Sequence, residues 1–295
     1  MKIIVTGSLG NISKPLTIGL VQKGHQVTVI SSKFDKQKDI EALGAVAAIG
    51  SLEDVDFLKA TFNGADAVYC MVPPNFGETD QIKYYQRIGD SYAKAIQQSG
   101  VKRIVHLSSY GAHLDKGTGF ILGSHNVENI LSELSGISIT HLRPAYFYYN
   151  LFSFIDMIKD MGLMGSNFGG DDKMVMVHPG DIAVAASEEL QIISSDNKVR
   201  YVVSDEHTAN ETAHILGSAI GKPELKWLTF SDEQTQESME KKGIPKHLVT
   251  NFVAMGTSTH SGVLREDYDL HKPAVMGKVK VEDFAKEFAA AFLKG

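Results

Sequence analysis

Short apolar runs alternate with longer stretches of helical periodicity through the first half of the chain. The runs are about six residues long, and most are continuously apolar rather than apolar at every second position. Strands that are covered on both faces have this pattern. The predicted strands are Lys2–Thr6, Gln26–Ser31, Ala45–Ile49, Ala67–Met71, Arg103–Ser108 and Ser138–Leu142.

Between these runs, apolar residues recur at the spacing of one helix face. The predicted helices include Pro15–Lys23, Ile82–Gln98 and Ser124–Leu134, and a glycine follows each of them closely. Alternation of strands and helices with short connections indicates βαβ units. The sequence therefore predicts an α/β fold with a doubly wound parallel sheet of the Rossmann type.

The alternation stops after Pro144, where aromatic residues, methionines and glycines become frequent. We predict a dinucleotide-binding domain over residues 1–150 and a smaller C-terminal substrate lobe over residues 151–295. About residues 178–204 should return one helix and one strand to the Rossmann sheet. Ligands of open α/β sheets bind outside the carboxyl ends of the strands, so such a lobe would cover the site.

Composition excludes several classes of function. The net charge is −6 and lysine and arginine are not clustered, so nucleic acid is not expected as a direct partner. The single cysteine, Cys70, excludes an intramolecular disulfide and a thiolate metal framework, and we predict no metal site. No apolar stretch approaches the roughly 18 residues of a membrane span, and no signal peptide is evident. We expect a cytoplasmic protein.

A glycine-containing turn carries the strongest chemical information. It reads Thr6-Gly7-Ser8-Leu9-Gly10-Asn11-Ile12-Ser13, directly after the first predicted strand and at the start of the first helix. Gly7 permits a tight turn, Gly10 lets the backbone approach a pyrophosphate, and the helix N-terminus supplies N–H groups. Ser13 stands where the dinucleotide fingerprint has a third glycine. The predicted cofactor contacts here are Thr6, Gly7, Leu9, Gly10, Asn11 and Ile12.

The end of the second strand distinguishes between the two nicotinamide cofactors. NAD-binding proteins usually place an acidic residue there, about 20 residues past the glycines, to hold the ribose hydroxyls. This chain has Ser31, Ser32 and Lys33 instead, and two hydroxyls with a cation suit a 2′-phosphate. NADP(H) is therefore favoured over NAD(H), although Asp35 lies close by. Met71, Val72 and Pro73 after the fourth strand, and Ser108 after the fifth, should also lie along the dinucleotide.

Further motifs extend the pattern over nearly the whole chain. They are Val101–Ser109, the helix of Glu128 that leads to Ser135-Gly136, Leu142-Arg143-Pro144-x-x-Phe147-x-x-Asn150, His178-Pro179-x-Asp181-Ile182-Ala183 and Phe284-Ala285-x-Glu287-Phe288. In this order, with Thr6-Gly7-x-x-Gly10, they resemble the NmrA-like branch of the atypical short-chain dehydrogenase/reductases. The resemblance implies a Rossmann core, an NADP(H)- or NAD(H)-type cofactor and a small C-terminal substrate lobe. Members of that family include quinone and azo-compound reductases, and also regulators that sense the cofactor without turnover.

The tyrosine–lysine pair of short-chain dehydrogenases is missing. Counted back from Glu128, its positions hold Phe120 and Ser124. Tyr268 and Lys272 have the right spacing but lie far downstream, and we interpret that match as coincidence. Reduction of a quinone or a similar electrophile does not require such a pair, because solvent or a weak acid can protonate the product. The residues predicted to assist catalysis are Ser109, Tyr110 and His125.

Two functions are the main alternatives at this stage, and a weaker third is an isomerase or dehydratase that uses the cofactor transiently, with His125 as its base. The first is NADPH-dependent reduction of a quinone or related small electrophile, for which an aromatic segment, Tyr146–Phe154, could line a pocket for a flat, apolar substrate. Packing in the core is the other interpretation of that segment. The second function is an NADP(H)-sensing regulator without turnover, which the missing pair favours. The sequence leaves a homodimer or a regulatory protein partner open.

Overall fold

The computed structural model describes residues 1–192 and 196–294 and has an α/β architecture. Its strands are β1 Lys2–Val5, β2 Gln26–Ser31, β3 Val46–Ile49, β4 Ala67–Cys70, β5 Arg103–Leu107, β6 Ser138–Pro144, β7 Tyr146–Phe147, β8 Met164–Ser166, β9 Lys173–Val177, β10 Lys198–Val202, β11 Asp205–Thr208 and β12 Trp227–Thr229. Its α-helices are α1 Ser13–Gln22, α2 Gln37–Glu41, α3 Val55–Phe62, α4 Gln81–Ser99, α5 Ile121–Ser132, α6 Ile155–Met161, α7 Pro179–Leu190, α8 Ala209–Ala219, α9 Asp232–Lys241, α10 Lys246–His260, α11 Glu266–Leu270 and α12 Val281–Lys294. Short 3₁₀ turns occur at Phe34–Lys36, Tyr148–Phe154 and Val263–Arg265.

A seven-stranded sheet in the order β10-β6-β5-β4-β1-β2-β3 confirms the predicted Rossmann-type fold. The pairings from β6 across to β3 are all parallel. From β1 the chain moves outward to β3 and then crosses to β4 on the other side. The strand order therefore reverses between β1 and β4, and the crevice at such a reversal is where open α/β sheets bind ligands.

The six predicted strands of the first half are all present, and the central ones are covered on both faces. Every residue of β4 and of β6 is buried, as expected for central strands between helical layers. Helix α4 packs against one face of the sheet. The side chain of Asp80, the residue before the helix, caps its first turn by accepting a hydrogen bond from the Lys83 N–H. The helix ends at Gly100, whose φ of +79° is the left-handed conformation that glycine adopts without strain.

The chain divides into two compact units. The first comprises residues 1–112, 123–143 and 182–200, and the second comprises residues 113–122, 144–181 and 201–295. The first unit contains the Rossmann sheet. The chain leaves this unit at Pro144 and returns to it within α7. Compared with the predicted division at residue 150, the structure assigns residues 113–122 and 144–150 to the second unit.

The second unit has a core of its own, built largely from aromatic side chains. Tyr148 stacks on Phe284 with ring centroids 5.2 Å apart, and Phe154 lies 4.6 Å from the fully buried Trp227. The unit also contains a three-stranded sheet, β11-β9-β7, and a pair, β12-β8. Much of the aromatic segment Tyr146–Phe154 therefore packs in the core. Within the described residues, no helix has the length and apolar character needed to cross a bilayer.

Candidate functional site

The turn between β1 and α1 has the backbone geometry that a close ligand contact requires. Gly7 has a φ of +90°, and Ser8 has a φ of +53°, which is unusual for a residue with a Cβ. Ser8 is held in this conformation at the edge of the neighbouring strand, because its N–H donates to the Ile30 carbonyl at 3.1 Å. The Gly10 N–H donates back to the Gly7 carbonyl at 3.1 Å and closes the turn.

Gly7 is surrounded so closely that no larger residue fits. A Cβ at this position would lie 2.6 Å from Ser13 Oγ and 2.9 Å from Met71 Sδ. Ser13, which replaces the third glycine of the fingerprint, donates its hydroxyl hydrogen to the Thr6 carbonyl at 2.8 Å. This hydrogen bond joins the start of α1 to the end of β1. A glycine at position 13 would let the helix and the strand pack closely but could not form the hydrogen bond. Thr6 Oγ1 in turn accepts from the Met71 N–H at 2.9 Å and joins the ends of β1 and β4.

Helix α1 begins without a side-chain cap. Its N-cap residue is Ile12, which offers no hydrogen-bond acceptor, and the first turn contains no acidic residue. The Lys14 N–H already donates to the Gly10 carbonyl and Pro15 has no N–H, so the positive end of the helix dipole and the N–H groups that precede Lys14 favour an anion at this point. The glycine turn and the open helix end therefore fit the pyrophosphate of a dinucleotide, with backbone groups of Gly7 to Ile12 as its cradle.

Beside this turn lies a cleft of about 290 Å³. Its lining comes from the ends of β1, β2 and β3, the loop after β4 and one face of α4: Gly7, Ser8, Ile30, Ser31, Ser32, Ser51, Leu52, Glu53, Pro73, Asn75, Tyr84 and Ile88. Four of the predicted cofactor residues line it, namely Gly7, Ser31, Ser32 and Pro73. The other predicted residues are absent from the lining: Thr6, Leu9, Gly10, Asn11, Ile12, Lys33, Met71, Val72 and Ser108. Thr6, Ile12, Val72 and Ser108 are buried.

The end of β2 is organised by a buried hydroxyl. Ser31 Oγ accepts from Ser8 Oγ at 3.0 Å and from the Lys33 N–H at 3.2 Å. Ser32 and Lys33 are exposed, and among the described residues no carboxylate forms an ion pair with Lys33. Asp35 is also exposed, within the short 3₁₀ turn that follows. An exposed cation and one exposed hydroxyl thus follow β2, where NAD-binding proteins usually have a carboxylate.

The far side of the cleft contains an ion-pair bridge. Arg87 of α4 lies 3.5 Å from Glu53 and 2.9 Å from Glu78, with its guanidinium over the ring of Tyr84 at 5.6 Å. Arg87 therefore offsets the charge of Glu53, the carboxylate among the lining residues. Burial, followed by the charges of Glu53 and Glu78, raises the pKa of Tyr84 and keeps its phenol neutral. An uncharged aromatic wall with polar groups at its rim suits an adenine ring.

Sequence reasoning missed several lining residues. Tyr84 and Ile88 were expected only to be apolar residues of a helix, because periodicity shows which face is buried but not what the face meets. Ser8 and Ile30 belong to segments that the motif identified, but their part in the lining depends on the pairing of β1 with β2. Ser51 to Glu53 were not missed, because the position of Gly50–Asp54 after the third predicted strand indicates that this loop could flank the adenine, besides capping the next helix.

Of the predicted catalytic residues, Ser109 and His125 already have partners. Ser109 Oγ donates to the Tyr110 carbonyl at 3.0 Å. The Nδ1 of His125 lies 2.9 Å from the Ala112 carbonyl, so it carries the ring hydrogen, and Nε2 then accepts from the side-chain amide of Asn129 at 2.9 Å. Both nitrogens of a neutral His125 are therefore engaged. Tyr110, the third predicted residue, is half-buried beyond the end of β5.

Comparison with known proteins places the whole chain in one family. The NmrA-like family profile matches residues 1–284. The chain belongs to the NmrA-like family. Among its relatives, an NAD(P)H azoreductase of Xenophilus azovorans is 25% identical over 295 residues, which is 98% of this chain and 99% of that protein.

Solved structures with the same fold include two reductases. The NADPH-dependent quinone oxidoreductase of Escherichia coli, complexed with NADPH, has a TM-score of 0.83 at 19% identity and covers 97% of this chain and 99% of its own. The triphenylmethane reductase of Citrobacter sp., complexed with NADP(H), has a TM-score of 0.80 at 20% identity, with coverage of 97% and 99%. These likenesses confirm the Rossmann-type fold of this NmrA-like chain.

The downstream tyrosine–lysine match has a structural role in this NmrA-like protein. Tyr268 lies in α11 and donates its hydroxyl hydrogen to Glu206 at 2.5 Å, and Lys272 lies 3.2 Å from the same carboxylate. Burial, followed by the hydrogen bond to Glu206, raises the pKa of Tyr268, which is the opposite of what a catalytic tyrosine needs. The contacts therefore agree with the interpretation of this match as coincidence.

The second unit also brings together side chains of the types that ligate metals. One ligand atom each of Asp205, His207 and Glu282 lies within 4.8 Å of the others. Asp205 already accepts from the Val281 N–H at 3.3 Å, at the first turn of α12, and lies 3.9 Å from Lys280 Nζ. Asp205 thus already has a cation beside it, the Lys280 ammonium, and a hydrogen bond to the first turn of α12. These contacts give the carboxylate a structural role that needs no metal ion.

Proposed function

We propose that this chain is an NAD(P)H-dependent oxidoreductase, and specifically an NADPH-dependent reductase of a quinone or a similar small electrophile. The single observation that carries the proposal is the cradle at Gly7, where a Cβ would collide with Ser13 and Met71 and the adjoining helix α1 is uncapped. A tight glycine turn beside an uncapped helix start, at the strand-order reversal, suits a pyrophosphate.

The preference for NADP(H) rests on charge at the end of β2. Lys33 and Ser32 are exposed, and neither residue repels a 2′-phosphate. The Ser31 hydroxyl is buried and hydrogen-bonded to the Lys33 backbone, so it supports the strand end rather than the phosphate. Ser32 lines the cleft itself, within reach of a ribose bound there. A phosphate interacts with a cation and hydroxyl donors by charge-assisted hydrogen bonds, and the free ribose hydroxyls of NAD(H) gain much less from a lysine.

Bound NADPH would supply a hydride, and this chain would bind the cofactor, exclude water and provide a proton. Reduction of a quinone to a hydroquinone consumes one hydride and one proton. The hydride brings two electrons and one hydrogen, and the proton, from solvent or from a residue of this chain, neutralises the remaining oxyanion. Tyr110 follows β5, on the side of the sheet where the nicotinamide is expected, and it is the residue that we propose as proton donor. The missing tyrosine–lysine pair is consistent with an acceptor whose reduced oxygen is only weakly basic.

The relatives support reduction of conjugated acceptors. Their names give an azo compound, a quinone and a triphenylmethane compound as substrates, and all three are classes of conjugated or aromatic compounds. They favour turnover over the alternative of a cofactor-sensing regulator. A small-molecule substrate of this class is therefore the proposed partner. The cytoplasmic location, a homodimer and a regulatory protein partner stay predictions.

Titration with cofactors tests the proposal. Cofactor fluorescence would be followed while NADPH or NADH is added, and a panel of quinones and azo compounds would then be offered to the complex. The expected result is tighter binding of NADPH than of NADH, followed by oxidation with at least one acceptor. Binding of neither cofactor would overturn the proposal, and binding without oxidation by any acceptor would favour the regulator.

A further inference from the structure

Ser108 makes a buried contact that determines what its hydroxyl can do. The residue follows β5 directly, its N–H donates to the Leu142 carbonyl at 2.8 Å, and its Oγ lies 2.5 Å from Oε1 of Glu128 on α5. Ser108 is 6% exposed and Glu128 is 7% exposed, so water does not compete for this contact. A buried hydroxyl at such a distance from a carboxylate is held in one orientation.

Arg143 identifies which partner supplies the hydrogen. Its Nε donates to Glu128 Oε1 at 3.0 Å, and its Nη2 donates to Oε2 at 2.7 Å. Both carboxylate oxygens therefore accept hydrogen bonds in a bidentate pair with the guanidinium. The hydrogen between Ser108 and Glu128 must belong to the serine.

A serine hydroxyl has one hydrogen and two lone pairs. Because Glu128 takes the hydrogen, Ser108 Oγ can offer only lone pairs to anything else. Among the described residues, none donates a hydrogen bond to this oxygen. Ser108 is thus fixed as an acceptor whose remaining capacity the described part of the chain does not use.

The sheet order indicates which part of a dinucleotide would meet this acceptor. The cleft for the adenosine half is lined by residues that follow β1, β2 and β3, and the pyrophosphate cradle lies at β1. Ser108 follows β5, on the opposite side of β1 beyond β4. A dinucleotide that crosses the strand-order reversal would therefore extend its nicotinamide half towards the carboxyl ends of β4 and β5.

We propose that Glu128 is a positioning residue, which takes the hydrogen of Ser108 and so fixes Ser108 as a hydrogen-bond acceptor for the carboxamide N–H of the nicotinamide. This inference rests on the proposed function, because it requires a nicotinamide cofactor. It assigns the Glu128–Arg143 pair a part in cofactor recognition besides its part in the core. It also removes Ser108 from the residues that could donate a proton to the substrate.

The test compares three ligands on wild type and four variants. The ligands are NADPH, its reduced 3-acetylpyridine analogue, in which a methyl ketone replaces the carboxamide and its N–H, and adenosine 2′,5′-bisphosphate, which contains only the adenosine half. The variants are Ser108→Ala, Ser108→Thr, Glu128→Gln and Glu128→Asp. The Glu128→Asp variant keeps a negative charge for Arg143, but its side chain is one methylene too short to reach Ser108. It replaces Glu128→Gln in the test if that variant does not fold.

Wild type should bind NADPH more tightly than the acetyl analogue, and Ser108→Ala should reduce that preference by roughly threefold to tenfold, the range for one neutral hydrogen bond. Ser108→Thr, which keeps the hydroxyl, should restore the preference, and the folded Glu128 variants should reduce it as Ser108→Ala does. Affinity for the bisphosphate should be the same in all five proteins. A purely structural role would change bisphosphate affinity as well. Thermal stability should fall in the Glu128 variants in either case, because the buried Arg143 contact is altered.

Two negative results are distinguishable. If wild type and Ser108→Ala discriminate equally between the two reduced cofactors, or if folded Glu128 variants retain the wild-type preference, the positioning role is wrong while cofactor binding stands. If wild type binds neither NADPH nor the bisphosphate, the proposed function itself fails.

Discussion

The imidazole rings of His106 and His141 meet edge to face on neighbouring strands, with their Nδ1 atoms 3.0 Å apart. The two residues are paired in the register of β5 with β6, and both are buried. His141 Nε2 also lies 3.0 Å from Ser132 Oγ on α5. Only one hydrogen can lie between the two Nδ1 atoms, so at least one ring must be neutral, and burial disfavours a charge on the other.

The first prediction concerns stability at mildly acidic pH. Burial, followed by the facing His141, holds the pKa of His106 well below its usual range, and burial also lowers the pKa of His141. The unfolded chain, with histidine pKa values near about 6.5, binds more protons than the fold below that pH. The contribution of the two buried histidines to the free energy of unfolding is therefore fully present above about pH 6.5. It is lost as the pH falls, by about 1.4 kcal/mol per pH unit for each histidine.

Chemical denaturation at a series of pH values between neutrality and mild acid measures this effect. The folded variant His141→Gln should show a shallower loss of unfolding free energy, since one of the two groups no longer titrates. His214→Gln is the matched control, because His214 is exposed on α8 and should leave the slope unchanged. Equal slopes for wild type and His141→Gln would contradict the neutral pair.

The second prediction concerns the glycine turn. Gly7→Ala should lower stability and weaken NADPH binding by more than tenfold, because its Cβ would meet Ser13 and Met71 at a φ of +90°. Gly24→Ala is a matched control, since Gly24 has a φ of +80° but nothing within 4 Å of the added Cβ. The control should lose only about 1–2 kcal/mol of stability from the left-handed backbone and keep its cofactor affinity. Calorimetric titration and thermal unfolding separate the two effects, and unchanged NADPH affinity in Gly7→Ala would disprove the cradle.

The third prediction concerns the choice of cofactor. Ser32→Asp places a carboxylate on an exposed position that lines the cleft, where it should repel a 2′-phosphate and accept from ribose hydroxyls. The ratio of NADPH to NADH affinity should fall by at least tenfold, and Lys33→Ala should lower it by a smaller factor. Ser32→Ala, which adds no charge, should change the ratio little. The account of the 2′-phosphate site is wrong if Ser32→Asp and Ser32→Ala give the same ratio.

The fourth prediction concerns two adjacent glutamates of α7. Glu189 is 2% exposed and lies 3.0 Å from Arg103 Nη2, whereas Glu188 is half-exposed and pairs with Arg200. Glu189→Ala would leave the buried Arg103 without its carboxylate, at an expected cost of about 3–5 kcal/mol in unfolding free energy. Glu188→Ala removes only a surface pair and should cost less than about 1 kcal/mol. Urea unfolding of both variants provides the comparison, and similar losses would refute the distinction.

The fifth prediction concerns proton donation. Because both nitrogens of His125 are engaged, by the Ala112 carbonyl and the Asn129 amide, His125→Gln should change kcat by less than about threefold once the protein is folded. Tyr110→Phe should lower kcat by more than tenfold while leaving NADPH affinity intact. Steady-state kinetics with a quinone acceptor test both variants. The opposite order of effects would transfer the role of acid from Tyr110 to His125.

The sequence predicted those parts of the molecule that depend on local pattern. Continuous apolar runs predicted the six strands from β1 to β6, and the glycines at 7 and 10 predicted the turn that opens α1. The sequence could not predict contacts between segments that are far apart along the chain. Arg103 meets Glu189, 86 residues away, and no local pattern pairs them.

The candidate site shows the same division. Gly7 and Ser31 were predicted because each stands at a fixed offset in a known kind of turn or strand end. The lining role of Tyr84 and Ile88 depends on how α4 crosses the sheet, which helical periodicity does not specify. That Ser109 and His125 are engaged by backbone and amide groups also became visible only in three dimensions.

The most direct test of the central claim is hydride transfer itself. Protein, NADPH and menadione would be mixed without oxygen, and the nicotinamide absorbance band would be followed with ordinary NADPH and with NADPH deuterated at the transferred position. The account predicts oxidation of one NADPH for each menadione reduced, and slower oxidation when the cofactor is deuterated. Tight NADPH binding with no oxidation, by menadione or by any azo or quinone acceptor, would contradict it.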